Sequence, residues 1–147
     1  MAADKRARRL DKVVTLAELE ERRECLEMRR AQHALDQAVG RLEDLLSYRR
    51  GYETTPMPFG SVAAVRWQDY RRFLSRLDEA VESQNRLVLS RRQLLEAHRR
   101  RWQEKRKRVG LLGQIRERYR RAEAERDERR MQKLLDDLKP MESLFDS

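Results

Sequence analysis

The sequence predicts an all-α fold, a long antiparallel two-helix coiled coil with a C-terminal helical overhang. Three observations lead there. Of the 147 residues, 41% are Asp, Glu, Lys or Arg and only 6% are aromatic, where an ordinary soluble domain carries about 25% charged residues. The five glycines and three prolines leave few places to turn, too few for a layered sheet-containing core. Apolar residues also recur at heptad spacing over most of the chain, which is the period of a coiled-coil face.

The helix breakers cluster between Gly51 and Gly60, with Thr54, Thr55, Pro56 and Pro58 among them. Proline lacks the amide donor and clashes with the preceding turn, so two prolines here stop a helix. Ser61 follows at the position of an N-cap. The next proline is Pro140. The expected layout is a helix over about 4–52, a loop over 53–61, a helix over about 62–138 and a short tail over 139–147, all in one domain.

Each expected helix carries a stripe. In the first it runs Leu10, Val14, Ala17, Glu21, Glu24, Met28, Ala31, Leu35, Ala38, Leu42 and Leu45. Its alanines would let the backbones approach closely, and its two glutamates predict a register shift or a loosening near Cys25. In the second helix, the series from Trp67 through Leu74, Val81, Val88, Leu95 and Trp102 to Val109 is apolar at every seventh residue. The companion series starts at Tyr70 and Leu77, turns polar at Gln84, Arg91, His98 and Lys105, and ends at Leu112.

A short loop makes such helices antiparallel neighbours. At 1.5 Å per residue the first is ~75 Å long and the second ~115 Å, so they cannot be coextensive. A turn near Met57 pairs residue i with 115−i, which sets Asp4 beside Leu111 and leaves 112–138 as the overhang. That segment carries a sparse apolar stripe of Ile115, Tyr119, Ala122, Leu134, Leu135 and Leu138, suited to docking on another molecule.

No chemistry of an enzyme is legible. His33 and His98 are the only histidines; the same pairing sets them opposite Glu82 and Ala17, so they do not meet. With Cys25 they make no metal-ligand spacing, and no glycine-rich phosphate loop or nucleophile elbow occurs. No catalytic, cofactor-binding or metal-binding residue and no cofactor is expected. The single cysteine points to a reducing compartment. No apolar run approaches the ~20 residues of a membrane span, and the basic N-terminus lacks a signal-peptide core. The expectation is a cytoplasmic protein whose membrane contact is peripheral.

Two features stand out beyond the fold. The net charge is +9, and residues 91–130 hold sixteen basic and seven acidic residues, which accounts for all of it. A solvated face with snorkelling stems explains this; so does an electrostatic contact with an acidic protein, a nucleic acid or anionic lipid. Specific DNA reading fits poorly, because the basic run Arg99–Arg108 lies within the heptads instead of preceding a zipper. The second feature is an aromatic-apolar patch of Leu45, Tyr48 and Tyr52 on the first helix with Phe73, Leu77 and Ala80 on the second. Phe73, Ala80, Leu87 and Leu94 recur every seventh residue beside the main seam. The patch is either a wide seam or an exposed recognition surface.

These residues carry a resemblance. The Tyr48/Tyr52 spacing, the run from Arg66 and Trp67 through Tyr70, Phe73, Leu77 and Ala80, and Trp102 followed by a basic EKRKR stretch resemble the FliJ family over essentially the full length. The resemblance implies a non-enzymatic coiled-coil component of the flagellar type III protein export apparatus, similar in shape to the stalk of rotary ATPases. It would lie at the cytoplasmic face of the inner membrane. It would link the hexameric FliI-type export ATPase to the cytoplasmic domain of the export gate protein FlhA, and escort export chaperones. Carried over residue by residue, the gate-binding patch is Leu45, Tyr48, Tyr52, Phe73, Leu77, Ala80 and Gln84, the last standing where some members have histidine. The ATPase-facing residues fall near the termini, at Leu10, Val14, Arg118, Arg121 and Arg126. The alternatives are an injectisome stalk homologue and a basic coiled coil that binds nucleic acid or serves as a scaffold.

Overall fold

Heptad-spaced apolar residues among strong helix formers give two helices. A computed structural model of the protein describes residues 2–54 and 63–145, with α1 spanning Ala2–Glu53 and α2 spanning Ala63–Phe145. They form an all-α antiparallel hairpin. The predicted breakers Thr55, Pro56, Pro58 and Gly60, the turn at Met57 and the N-cap at Ser61 lie outside the described residues. α1 ends where the orphan carbonyls of its last turn find other donors. The Thr54 amide donates to the Arg50 carbonyl at 3.2 Å, its hydroxyl donates to the carbonyls of Arg50 and Gly51, and the Tyr70 hydroxyl donates to that of Tyr52 at 2.6 Å.

The second helix runs further than expected. Instead of stopping at Leu138 it passes through Pro140 to Phe145. Proline removes one i→i−4 bond, and its partner carbonyl belongs to Asp136, an exposed residue that water can reach.

The chain divides into two compact units, Arg23–Gln103 and Met1–Arg22 with Glu104–Ser147. In the 23–103 unit, Ala31, Leu35, Ala38, Val88 and Leu95 form the core, with Met28, Val39 and Leu42 packed on it. Leu77 and Val81 are buried in the same seam. A buried Val or Leu contributes about 1.5–3 kcal/mol, so these few positions carry the pairing. The register follows from two bonds: Tyr70 to the Tyr52 carbonyl, and Gln84 Nε2 donating to the Ala38 carbonyl at 2.9 Å. Both set residue i opposite 122−i.

This register corrects the expected pairing of i with 115−i by one heptad. His33 is therefore opposite Leu89, and His98 opposite Glu24. It also explains the half-polar companion series. Gln84 and Arg91 fall opposite Ala38 and Ala31, so each long polar side chain meets a small one and the seam keeps its volume. Trp67 is the exception to the apolar series. It is 45% exposed, because α1 ends at Glu53, short of the position that would cover it. Neither helix is interrupted near Cys25.

In the unit built from 1–22 and 104–147, Val14 and Ala17 are buried, with Leu10, Val109 and Leu112 half-buried around them. The Tyr119 hydroxyl donates to the Ala3 carbonyl at 2.9 Å, again the 122−i register, so Asp4 lies beside Arg118 and not Leu111. Lys105 Nζ reaches Glu20 Oε2 at 3.1 Å, and Arg116 and Arg120 approach Asp11 at 3.9 and 3.5 Å. Paired helix thus continues to about Tyr119, a heptad beyond the expected limit at Leu112. The overhang starts there, and every residue from 124 to 140 is exposed.

Candidate functional site

The most organised exposed group in the 23–103 unit stands where α1 ends. α1 turns Tyr48 and Tyr52 outward one helical turn apart, and α2 brings Phe73 against both. The rings of Tyr52 and Phe73 lie 4.8 Å apart, Tyr48 and Tyr52 4.9 Å, and Tyr48 and Phe73 6.2 Å. Edge-to-face and tilted arrangements of this kind add about 0.5–1.5 kcal/mol per pair beyond area burial. Trp67 stacks on Tyr70 at 6.1 Å and extends the cluster. Tyr48 is 53% exposed and Phe73 37%. The hydroxyls of Tyr48 and Tyr52 share a hydrogen bond of 3.1 Å. That bond, with partial burial and the neighbouring tyrosine charges, raises the Tyr52 pKa above the ordinary 10.0. The raised pKa keeps the Tyr52 phenol neutral at physiological pH, and the three rings brace one another.

The expected patch residues are brought to one region but do not share one role. Leu77 is 7% exposed and belongs to the seam, so it is not itself an exposed anchor. Leu45 and Ala80 are half-buried. Gln84 is half-buried, and its amide is spent on the Ala38 carbonyl. Sequence reasoning missed Trp67 as a surface residue. The signal lay in its position, a few residues after the breakers and beyond the reach of α1.

In the other unit, Val14 is 1% exposed and Leu10 half-buried; both belong to the seam. Arg118, Arg121 and Arg126 are exposed, and Arg121 pairs with Glu117 at 3.4 Å. Partial burial and then the neighbouring Glu123 carboxylate raise the Tyr119 pKa, against the opposing effect of Arg6 and Arg126. The overhang presents Met131, Leu134, Leu135 and Leu138, each more than half exposed. Its positions i, i+3, i+4 and i+7 make one apolar stripe. The overhang is not basic: residues 122–140 hold five basic and six acidic residues. The surplus sits earlier, with nine basic and two acidic residues over 91–108.

Among the described residues, no group of three or more His, Cys, Asp or Glu could hold a metal ion, and no helix is long and apolar enough to cross a membrane. His98 Nδ1 is buried without a hydrogen-bond partner; half-buried in the companion series and opposite Glu24, it is a seam residue.

Two long antiparallel helices packed along a heptad seam, with no strand among the described residues, define a class of protein, the all-α coiled-coil hairpins. The chain belongs to the FliJ family: the model for the flagellar FliJ protein matches residues 6–143. That family is a non-enzymatic component of flagellar protein export, which makes this chain a flagellar export protein. No match was found among curated proteins.

Proposed function

We propose that the protein links the hexameric export ATPase to the export gate of the flagellar type III apparatus and escorts export chaperones, from the cytoplasmic side of the membrane. The observation that carries the reading is the aromatic cluster. Tyr48 and Phe73 are held out by a paired-helix scaffold, and exposed, pre-braced aromatic side chains are the usual anchors of protein interfaces. The cytoplasmic domain of the gate takes Tyr48, Tyr52 and Phe73, flanked by Leu45 and Ala80 and supported by Leu77 and Gln84. The ATPase takes the unit built from 1–22 and 104–147, where the overhang's leucines, with Arg118, Arg121 and Arg126, form the accessible surface over a seam that contains Leu10 and Val14.

A pull-down of the full chain with the gate domain and with the ATPase, in the presence of duplex DNA as competitor, tests the reading. Retention of both proteins against DNA supports it. Displacement by DNA with a steep salt dependence would transfer the function to nucleic-acid binding, through the cations of residues 91–108.

A further inference from the structure

One heptad row on α2 of the 23–103 unit stands just outside the seam: Arg66, Phe73, Ala80, Leu87, Leu94 and Arg101. Phe73, Leu87 and Leu94 are 37, 38 and 44% exposed, and Ala80 is half-buried. The contact between Tyr48 and Phe73 shows that the row flanks α1. In the 122−i register, Leu87 comes level with Leu35, and the neighbouring Ala34 on that flank is small and half-buried. A helix with one helical neighbour needs two apolar rows; a third row is what it shows when it has two neighbours. The row keeps the heptad period, so the element that fits along it is itself a helix. Arginine occupies the same heptad position at both ends, and both arginines are exposed.

We propose that an amphipathic α-helix of a partner protein lies along this row. Its apolar stripe covers Phe73, Ala80, Leu87 and Leu94, a span of about 32 Å at 1.5 Å per residue, and acidic residues near its ends meet Arg66 and Arg101. The inference rests on the reading of the aromatic cluster as the export-gate face, and assigns the helix to that same partner. A second copy of this chain fits badly. Antiparallel self-pairing of the row sets Arg66 against Arg101, parallel pairing sets each arginine against itself, and like charges across an interface disfavour both.

The test titrates the full chain with the cytoplasmic domain of the gate, measuring affinity by calorimetry at several salt concentrations. Replacing both leucines (Leu87→Ser with Leu94→Ser) is expected to weaken binding about tenfold or more while the helical circular dichroism is retained. Arg66→Glu with Arg101→Glu should weaken binding and flatten its salt dependence. If the leucine variant binds like wild type while Phe73→Ala does not, the gate face stands and the helix row falls. If both variants bind like wild type, or wild type does not bind, the gate reading and the row fall together. Should the serine pair unfold, a solvatochromic dye on Ser90→Cys in a Cys25→Ser background replaces it: a blue shift on adding the gate domain supports the row, and unchanged emission overturns it. A concentration-dependent dimer, or sedimentation with phosphatidylglycerol vesicles, that the leucine substitutions abolish would also overturn the proposal in favour of a second copy or a membrane.

Discussion

The aromatic cluster and the overhang both expose apolar side chains, in different physical states. At the cluster, Tyr48, Tyr52 and Phe73 are braced by one another and by a second helix, with ring centroids 4.8–6.2 Å apart. On the overhang, Met131, Leu134, Leu135 and Leu138 project from a stretch of helix in which every residue from 124 to 140 is exposed. The difference bears on the entropy of binding. Side chains already held in place lose little freedom when a partner arrives, whereas each mobile side chain costs about 0.5–1.5 kcal/mol to immobilise. A partner that docked on the cluster would find it already organised. A partner that covered the overhang would add the packing from which a stretch of helix draws most of its stability.

The largest expected effect separates the two regions outright. Deleting 123–147 removes the exposed stretch of helix and leaves the Tyr119 bond to Ala3 in place. ATPase binding in a pull-down should disappear, while gate binding and the melting temperature stay near wild type. A truncated chain that still binds the ATPase would place the motor-facing surface elsewhere.

Next in size is the contrast within the aromatic region between Leu77 and Phe73. Leu77→Ala empties a seam position and should cost about 2–5 kcal/mol in chemical denaturation. Phe73→Ala, already 37% exposed, should cost about 1 kcal/mol and instead weaken gate binding. Equal destabilisation by the two would return Phe73 to the core.

A smaller effect distinguishes charge from apolar contact at the overhang. Because five basic residues face six acidic ones over 122–140, Leu134→Ser with Leu135→Ser should reduce ATPase binding more than Arg118→Glu, Arg121→Glu and Arg126→Glu together. Raising the salt concentration should change the wild-type affinity little, since screening acts on net exposed charge. A steep salt dependence would give the contact to the arginines.

The smallest effect is spectroscopic. The Tyr48 hydrogen bond is the main cause of the raised Tyr52 pKa. The stabilisation from neutral Tyr52 is therefore complete below pH 10 and is lost as pH rises through its raised value. In Tyr48→Phe, Tyr52 should titrate closer to 10, followed by phenolate absorbance. An unchanged titration would mean that the two hydroxyls do not share a proton in solution.

Much of this was legible beforehand. Every residue of the expected α1 stripe, from Leu10 to Leu45, is buried or half-buried, including Glu21 and Glu24, which interrupt its apolar character. The α2 series holds from Leu74 to Val109 and fails at Trp67, where local pattern says nothing about how far the partner helix extends. Leu77 falls in the companion seam series and Phe73 in the row beside it, yet the patch grouped them because they are four residues apart on one helix. Only the position of the seam between them makes one a seam residue and the other a surface.

Composition and heptad period determined by themselves that this chain is two helices, which faces they bury, and that one helix outlasts the other. Those properties depend on spacing within each helix. The register did not follow, because a heptad pattern slid by seven residues buries the same faces. Pairing i with 115−i and with 122−i are equivalent to any argument from periodicity. What distinguishes them is directional: Tyr70 on the Tyr52 carbonyl, Gln84 on the Ala38 carbonyl, Lys105 on Glu20 and Tyr119 on the Ala3 carbonyl. Hydrogen bonds weaken steeply with distance and angle, and a one-heptad slip moves each donor about 10 Å along the axis, so only the assembled helices could decide where the overhang begins.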